Sequence, residues 1–108
     1  MSKTKLKEVI KELKNNKIAC AHLSFSAKQN LPYAIWNTDK VVNVCADNSI
    51  IYTIETVALE VYFDKSDTET TKKVEEILNA TCGTYKTSGE IYIQDEGICE
   101  VIYYFASA

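Results

Sequence analysis

Residues 41–63 read VVNVCADNSIIYTIETVALEVYF, and this stretch has the pattern of a long β-hairpin. Asp47-Asn48 is a turn sequence between two runs that are rich in β-branched and aromatic residues. The returning arm, residues 50–63, contains no proline or glycine and is much longer than a usual strand of about five to six residues. The sequence therefore predicts a hairpin that extends past a compact core.

Upstream of the hairpin, the sequence predicts a helix and two shorter strands. Residues 3–16 carry one apolar stripe at helical spacing, formed by Leu6, Val9, Ile10 and Leu13. Residues 18–25 have the alternation of a strand, and residues 26–30 form a polar loop. Pro32 opens a short strand over residues 33–37, and residues 38–40 are expected to turn before the hairpin begins.

Downstream of the hairpin, a second helix is predicted from about residue 67 to residue 81. Ser66 and Glu69 have the spacing of a capping box, and Gly83 follows where a left-handed C-terminal cap is expected. The inner face of this helix is formed by Val74, Ile77, Leu78 and Thr81. A short β segment near Tyr85 and strands over residues 90–94 and 98–105 complete the chain, with a turn at residues 95–97.

The order of elements is α-β-β-β-β-α-β-β, with a further short strand near Tyr85. This order favours an α+β fold in which two helices pack on one face of an antiparallel sheet. A length of 108 residues fits one domain, residues 1–108, and 46% hydrophobic residues are enough for one core.

The composition argues against two classes of partner. All twelve basic residues are lysines and the net charge is −3, so the chain lacks the arginine that most often grips phosphates and guanine edges. No apolar run reaches the roughly 20 residues that span a bilayer. We therefore expect no nucleic-acid readout and no membrane contact, and we expect the chain to be intracellular.

Catalytic and metal-binding residues are not expected. The four cysteines are far apart and form no C-x-x-C pair, which favours reduced thiols without a metal or cofactor. Cys20 and His22 share one strand face, but residues two apart on a strand stand about 7 Å from each other, too far for direct proton transfer. The acidic pairs at residues 75–76 and 95–96 are explained by a solvated helix side and a turn.

Several strands carry apolar or aromatic residues on both faces. In the last strand Val101, Tyr103 and Phe105 alternate with Ile102 and Tyr104, and the hairpin is similar. A sheet with helices on one side only should instead alternate between apolar and polar residues. Apolar area on the second face indicates an interface, and closed homo-oligomers are the usual way to cover one.

In order along the chain, several segments resemble one protein family. They are LPYAIW at 31–36, ADN at 46–48 with Tyr52, LEVYFDK at 59–65, the capped helix, IYI at 91–93 and VIYYF at 101–105. Together they resemble the tail terminator proteins of bacteriophages, prophages and tail-like bacteriocins of low-GC Gram-positive bacteria. The resemblance covers nearly the whole chain, and it implies no catalytic residue.

The resemblance implies a homo-oligomeric ring, commonly of six subunits, that caps the tail tube and ends its polymerisation. Its expected partners are a second copy of the chain, the tail tube protein, a sheath protein in contractile particles, and the head-side connector or collar. The expected location is the virion or a tail-like particle, assembled in the cytoplasm of the bacterial host.

We expect the hairpin to contact neighbouring subunits or the tube, because it is long and apolar on both faces. The predicted interface residues in the hairpin are Val42, Val44, Asp47, Asn48, Ile51 and Tyr52. Lys28 and Asn30, in the loop before Pro32, form a second predicted docking site.

Three other functions are compatible with the sequence. One is another neck component, such as a head-completion or tail-to-head joining protein. Another is a small ligand-binding or regulatory module whose pocket is lined by Trp36 and tyrosines. The third is an enzyme built around Cys20 and His22. A polar pocket with perturbed pKa values favours the last two, whereas a solid core with exposed apolar sheet surface favours the ring.

Overall fold

In the computed structural model, residues 4–107 are described, and they form two helices and one five-stranded sheet. The elements in chain order are α1 (Thr4–Asn15), β1 (Ala19–His22), β2 (Tyr33–Ala46), β3 (Ser49–Asp64), α2 (Thr70–Thr81), β4 (Lys86–Ile93) and β5 (Ile98–Ala106). The strands lie in the order β1-β2-β3-β5-β4. The predicted α+β class is confirmed; residue 3, the predicted start of the first helix, lies outside the described residues.

One strand pair departs from the predicted antiparallel sheet. β1 pairs with β2 in parallel, from Ala19 opposite Tyr33 to His22 opposite Trp36, while all other pairs are antiparallel. The sheet is therefore mixed, because the loop between β1 and β2 carries the chain back to the end where β1 began. β1 also ends before residue 25, since Leu23 has a positive φ of 68° and leaves the extended conformation.

Two predicted interruptions are bulges within continuous strands. β2 runs unbroken through residues 38–40, with a register shift between Thr38 and Lys40 that leaves Asp39 as the extra residue. β4 similarly joins the segment near residue 86 to residues 90–93 across a shift between Thr87 and Glu90. Turn-forming residues are tolerated at both places because a bulge inserts extra residues without ending the strand.

The core lies between the helices and one face of the sheet. Buried side chains on α1 and α2 belong to the same cluster as alternate residues of β3 and β5, so both helices cover one face, as predicted. The helix residues of this cluster are Leu6, Val9, Leu13, Val74, Ile77 and Leu78. The sheet residues include Val57, Leu59, Val61, Phe63, Val101, Tyr103 and Phe105.

The start of α2 differs from the predicted capping box. Asp67 accepts hydrogen bonds from the backbone N–H of Glu69 at 2.9 Å and of Thr70 at 3.1 Å, and it also accepts the Thr70 hydroxyl. Ser66 instead donates its hydroxyl to Asp64 at 3.3 Å. An aspartate binds the free N–H groups of a first turn more strongly than a serine because it is charged. At the other end, Gly83 has the expected positive φ, 79°.

The molecule is elongated, with principal dimensions of 53 × 27 × 27 Å. Its Cα radius of gyration is 15.1 Å, whereas a compact domain of this length has a radius of about 13 Å. The far ends of β2 and β3 account for this difference, because they continue beyond the part of the sheet that the helices cover. Among residues 4–107, no helix has both the length and the apolar character that crossing a bilayer requires.

Candidate interaction surface

We call residues 41–54 the distal hairpin, and its two strands pair only with each other. β3 pairs with β5 from Thr56 onward, and β2 pairs with β1 only over residues 33–36. Within the described residues, the distal hairpin therefore has two free strand edges whose N–H and C=O groups point away from the sheet. Free edges of this kind accept a strand from another chain or from another copy.

Most apolar side chains of the distal hairpin are exposed. Ile50 and Ile51 each expose 60% of their surface. The other exposed members are Val41, Val42, Tyr52 and Ile54, and Val44 is half-buried. A contiguous exposed patch of such residues is uncommon on a monomer and usually marks an interface.

The strand register separates these residues into two faces. Val42 lies opposite Ile54 and Val44 opposite Tyr52, and these four form an apolar ladder on the side away from the helices. On the other side, Thr53 donates a hydrogen bond to Asn43 at 2.9 Å, next to Val41. Val42 and Val44 therefore lie on the opposite face of β2 from Val41.

The tip and the bulge of the hairpin contain the remaining predicted residues. Asp47 and Asn48 have positive φ values of 50° and 64°, the conformation of a tight two-residue hairpin turn, so the predicted tip is present. Ile51 is the extra residue at a register shift, because Val44 pairs with Tyr52 and Cys45 with Ile50. The structure therefore brings the six hairpin residues of the predicted interface into one protruding unit.

The second predicted docking site lies at the other end of β2. Lys28 lines an open groove of about 640 Å³ together with Phe25, Ala27, Gln29, Leu31, Tyr33, Ile35, Glu96 and Ile98. Asn30 is exposed nearby in the chain but does not line this groove. β2 spans 14 residues, or about 40 Å, so the groove and the hairpin tip are separate surfaces.

Among the hydrogen bonds of the described residues, none joins Cys20 to His22. His22 stacks on Trp36 with 3.9 Å between ring centroids. Burial raises the pKa of Cys20 to about 11, although the positive charge of Lys14 acts in the opposite direction. A thiol with a raised pKa remains protonated at neutral pH and is a poor nucleophile. Within residues 4–107, no cluster of three or more potential ligands is placed to hold a metal ion.

Glu75 is more involved in packing than the sequence predicts. It is half-buried and accepts a hydrogen bond of 2.8 Å from the hydroxyl of Tyr103, a fully buried side chain. Burial, and then this hydrogen bond, raise the pKa of Tyr103. Glu76, its neighbour, is exposed as expected. The contact connects α2 to β5 and stabilises the body of the fold.

The sheet face opposite the helices, which we call the outer face, contains a group of side chains that was not predicted from the sequence. Tyr33 and Tyr62 stack there with 5.0 Å between centroids, beside Glu60 and Glu100. Burial raises the pKa of Glu60, and the charge of Glu100 raises it further. The alternation along each strand shows that residues 60 and 62 share one face of β3 and that residues 100 and 102 share one face of β5. It does not show which of these residues are neighbours across the two strands.

No protein-family model matches the sequence, and no curated protein matches it.

Proposed function

We propose that this chain is a structural assembly protein that forms a ring on the tail tube of a phage or of a tail-like particle. The ring would end tube polymerisation and offer a docking surface to the head-side connector. Six copies are the expected number, and the assembled ring would reside in the virion or particle after assembly in the host cytoplasm. The resemblance of the sequence segments supports this choice of particle.

The observation that carries the proposal is the distal hairpin, an apolar two-stranded arm with free edges on both sides. Such an arm gains little by burial within its own chain, and it is well suited to lie across a neighbouring subunit or the tube wall. A ring requires a heterologous contact that closes, and a protruding arm can supply one half of that contact. Other neck components could use the same arm, so the position of the protein along the tail distinguishes a terminator from them.

Electron microscopy of tail tubes tests the proposal. Tubes from the same source are incubated with the purified protein, and tube ends are scored for an added ring; tubes without added protein are the control. We expect rings at one end of each tube, and tubes that stop growing when subunits are supplied. Bare ends at every protein concentration would contradict the proposal, and rings located at a head connector would favour another neck component.

The groove beside Tyr33 favours a second candidate, a small-molecule binding module. Its volume of about 640 Å³ is within the range of ligand sites, and it combines aromatic walls with Lys28 and Glu96. Trp36, which the sequence analysis assigned to a pocket, instead packs against the core. A ligand that raises the melting temperature of the wild type, but not of Tyr33→Ala, would support this candidate over the ring.

A further inference from the structure

Two carboxylates lie close together on the outer face of the sheet. Glu100 on β5 lies opposite Tyr62 on β3, and Glu60 is two residues from Tyr62 on the same side of β3. This diagonal arrangement places both carboxylates on one face of neighbouring strands, and burial, followed by the charge of Glu100, raises the pKa of Glu60. Two like charges in a half-buried position repel each other, and a cation placed between them relieves that repulsion.

The side chains that donate hydrogen bonds to these carboxylates are neutral. Asn37 donates one long hydrogen bond of 3.5 Å to Glu60, and the hydroxyl of Tyr62 interacts with both Glu60 and Glu100. Within residues 4–107, no lysine forms an ion pair with either carboxylate. The stacked ring of Tyr33 adds an apolar wall on one side. The carboxylates are therefore part of a half-apolar surface that carries negative charge and, within the described residues, has no ion-paired lysine.

Two lysines of the outer face, Lys40 and Lys86, lie towards the hairpin, whereas Lys28 lies in the groove beside Tyr33 and Ile35 and, among the described residues, forms no ion pair with either carboxylate. Lys40 is opposite Thr56, and Lys86 is opposite Tyr104. Thr56 is four residues from Glu60 along β3, a distance of about 13 Å. That separation exceeds the screening length of about 8 Å at physiological ionic strength, so Lys40 neutralises the pair only weakly.

A complementary surface is present on α1. Lys7, Lys11 and Lys14 have the i, i+4, i+7 spacing of one helix face, and all three are exposed. We call them the lysine stripe. The glutamates of α1, Glu8 and Glu12, instead line the furrow that α1 forms with α2. Among the described residues, no carboxylate forms an ion pair with the lysine stripe.

The lysine stripe also lies at a different side of the molecule from the carboxylates. The charge of Lys14 reaches Cys20 on β1, the edge strand, and α1 packs on the helix-covered face. Glu60 and Glu100 lie on the two central strands of the opposite face. The two surfaces cannot meet within one copy, but they can meet between two copies.

We propose that the outer face around Glu60 and Glu100 docks the lysine stripe of a second copy of this chain. The contact joins two different surfaces, so it is heterologous and can repeat from copy to copy until a ring closes. The inference rests on the self-association part of the proposed function and adds to it the pair of surfaces that meet. The distal hairpin remains available for the tube or for a further subunit contact.

Charge reversal tests this docking in solution, without tail tubes. Glu60→Lys with Glu100→Lys gives the outer-face variant, and Lys7→Glu with Lys11→Glu gives the stripe variant. Sedimentation over a range of concentrations is expected to show that each variant self-associates about tenfold or more weakly than the wild type. Circular dichroism and the melting temperature verify that both variants are folded.

Charge-matched controls lie away from both surfaces. Glu76→Lys with Glu90→Lys adds the same charge as the outer-face variant, and Lys65→Glu with Lys72→Glu removes the same charge as the stripe variant. These four positions are exposed. The controls are expected to associate like the wild type, because only net charge has changed. A similar loss in the controls would show that net charge, and not docking, governs association.

Mixing the two variants gives the decisive result. In a mixture, the reversed outer face of one variant meets the reversed stripe of the other, and the remaining surfaces are those of the wild type, so association is expected to recover. A zero-length carbodiimide is expected to cross-link Glu60 or Glu100 of one wild-type copy to the lysine stripe of another. No recovery, no such cross-link, or a wild type that stays monomeric would overturn the inference.

The proposed function has its own test, since rings at tube ends are scored independently of association in solution. Rings at tube ends together with charge-insensitive association would retain the terminator proposal and reject the docking of the stripe. Charge-dependent association with bare tube ends would support the docking of the lysine stripe and reject the terminator proposal.

Discussion

The two halves of strand β3 contain the same kinds of residue but lie in opposite environments. From Val57 to Phe63 every second side chain is buried beneath the helices, whereas from Ile50 to Ile54 the isoleucines and Tyr52 are exposed. The strand itself is continuous through both halves. The difference arises from the neighbours, because β5 and the helices cover only the half from Val57 to Phe63. Burial here depends on what covers a strand and not on its apolar content.

The largest expected difference is between matched truncations in the two halves. Leu59→Ala removes a fully buried side chain and is expected to lower the free energy of unfolding by about 2–5 kcal/mol. Ile50→Ala removes an exposed one and is expected to change it by no more than about 0.5 kcal/mol. Urea unfolding followed by circular dichroism measures both. Equal losses would show that the distal hairpin is packed in the free protein.

This contrast also defines what the sequence could predict. The apolar stripes of α1 and α2, the hairpin turn at Asp47-Asn48 and the cap at Gly83 are local patterns, and the structure agrees with them. The bulge at Asp39 and the parallel pairing of β1 were not predicted, because they depend on how distant strands align. The closeness of Glu60 and Glu100 was not predicted either, because it also depends on how two distant strands align.

A smaller effect is expected for the polar contact between helix and sheet. Tyr103→Phe removes the hydrogen bond to Glu75 and is expected to lower the free energy of unfolding by about 1.5–3 kcal/mol, the range for a bond to a charged group. Tyr52→Phe, in the distal hairpin, is the matched control and is expected to have no measurable effect, because Tyr52 is exposed. Thermal unfolding of both variants tests this prediction, and a loss in the control would contradict it.

The cap of α2 is expected to contribute about 1 kcal/mol, so Asp67→Ala should destabilise the protein by that amount at neutral pH. Partial burial raises the pKa of Asp67, but hydrogen bonds from Thr70 and Glu69 lower it more, and the folded-state pKa lies below its ordinary value. Because the folded pKa is lowered, the stabilisation is complete above the unfolded pKa of about 3.9 and is lost as the pH falls through the folded value.

The pH dependence of Asp67→Ala checks that sign. The difference in unfolding free energy between wild type and Asp67→Ala should be constant from about pH 5 to pH 7 and should shrink below about pH 4. Ser66→Ala is the control, since Ser66 bonds to Asp64 and does not cap the helix. A larger effect from Ser66→Ala than from Asp67→Ala would contradict the role of Asp67 and favour the capping box that the sequence predicts.

Only a small effect on stability is expected at the surface where the effect on assembly is greatest. Val44→Lys with Ile51→Lys places two charges on the distal hairpin, and the free energy of unfolding should change by no more than about 1 kcal/mol. Asn79→Lys with Ala80→Lys adds the same charge at exposed positions of α2 and is the matched control. Both variants are expected to be folded, and only the hairpin variant is expected to lose its partners.

The most direct test of the account is the fraction of tail-tube ends that carry a ring when this hairpin variant replaces the wild type in the same preparation. We predict bare ends with the folded hairpin variant and capped ends with both the wild type and the α2 control. Rings of unchanged size and stability on the hairpin variant would remove the distal hairpin from the interface and contradict the proposed role of this surface.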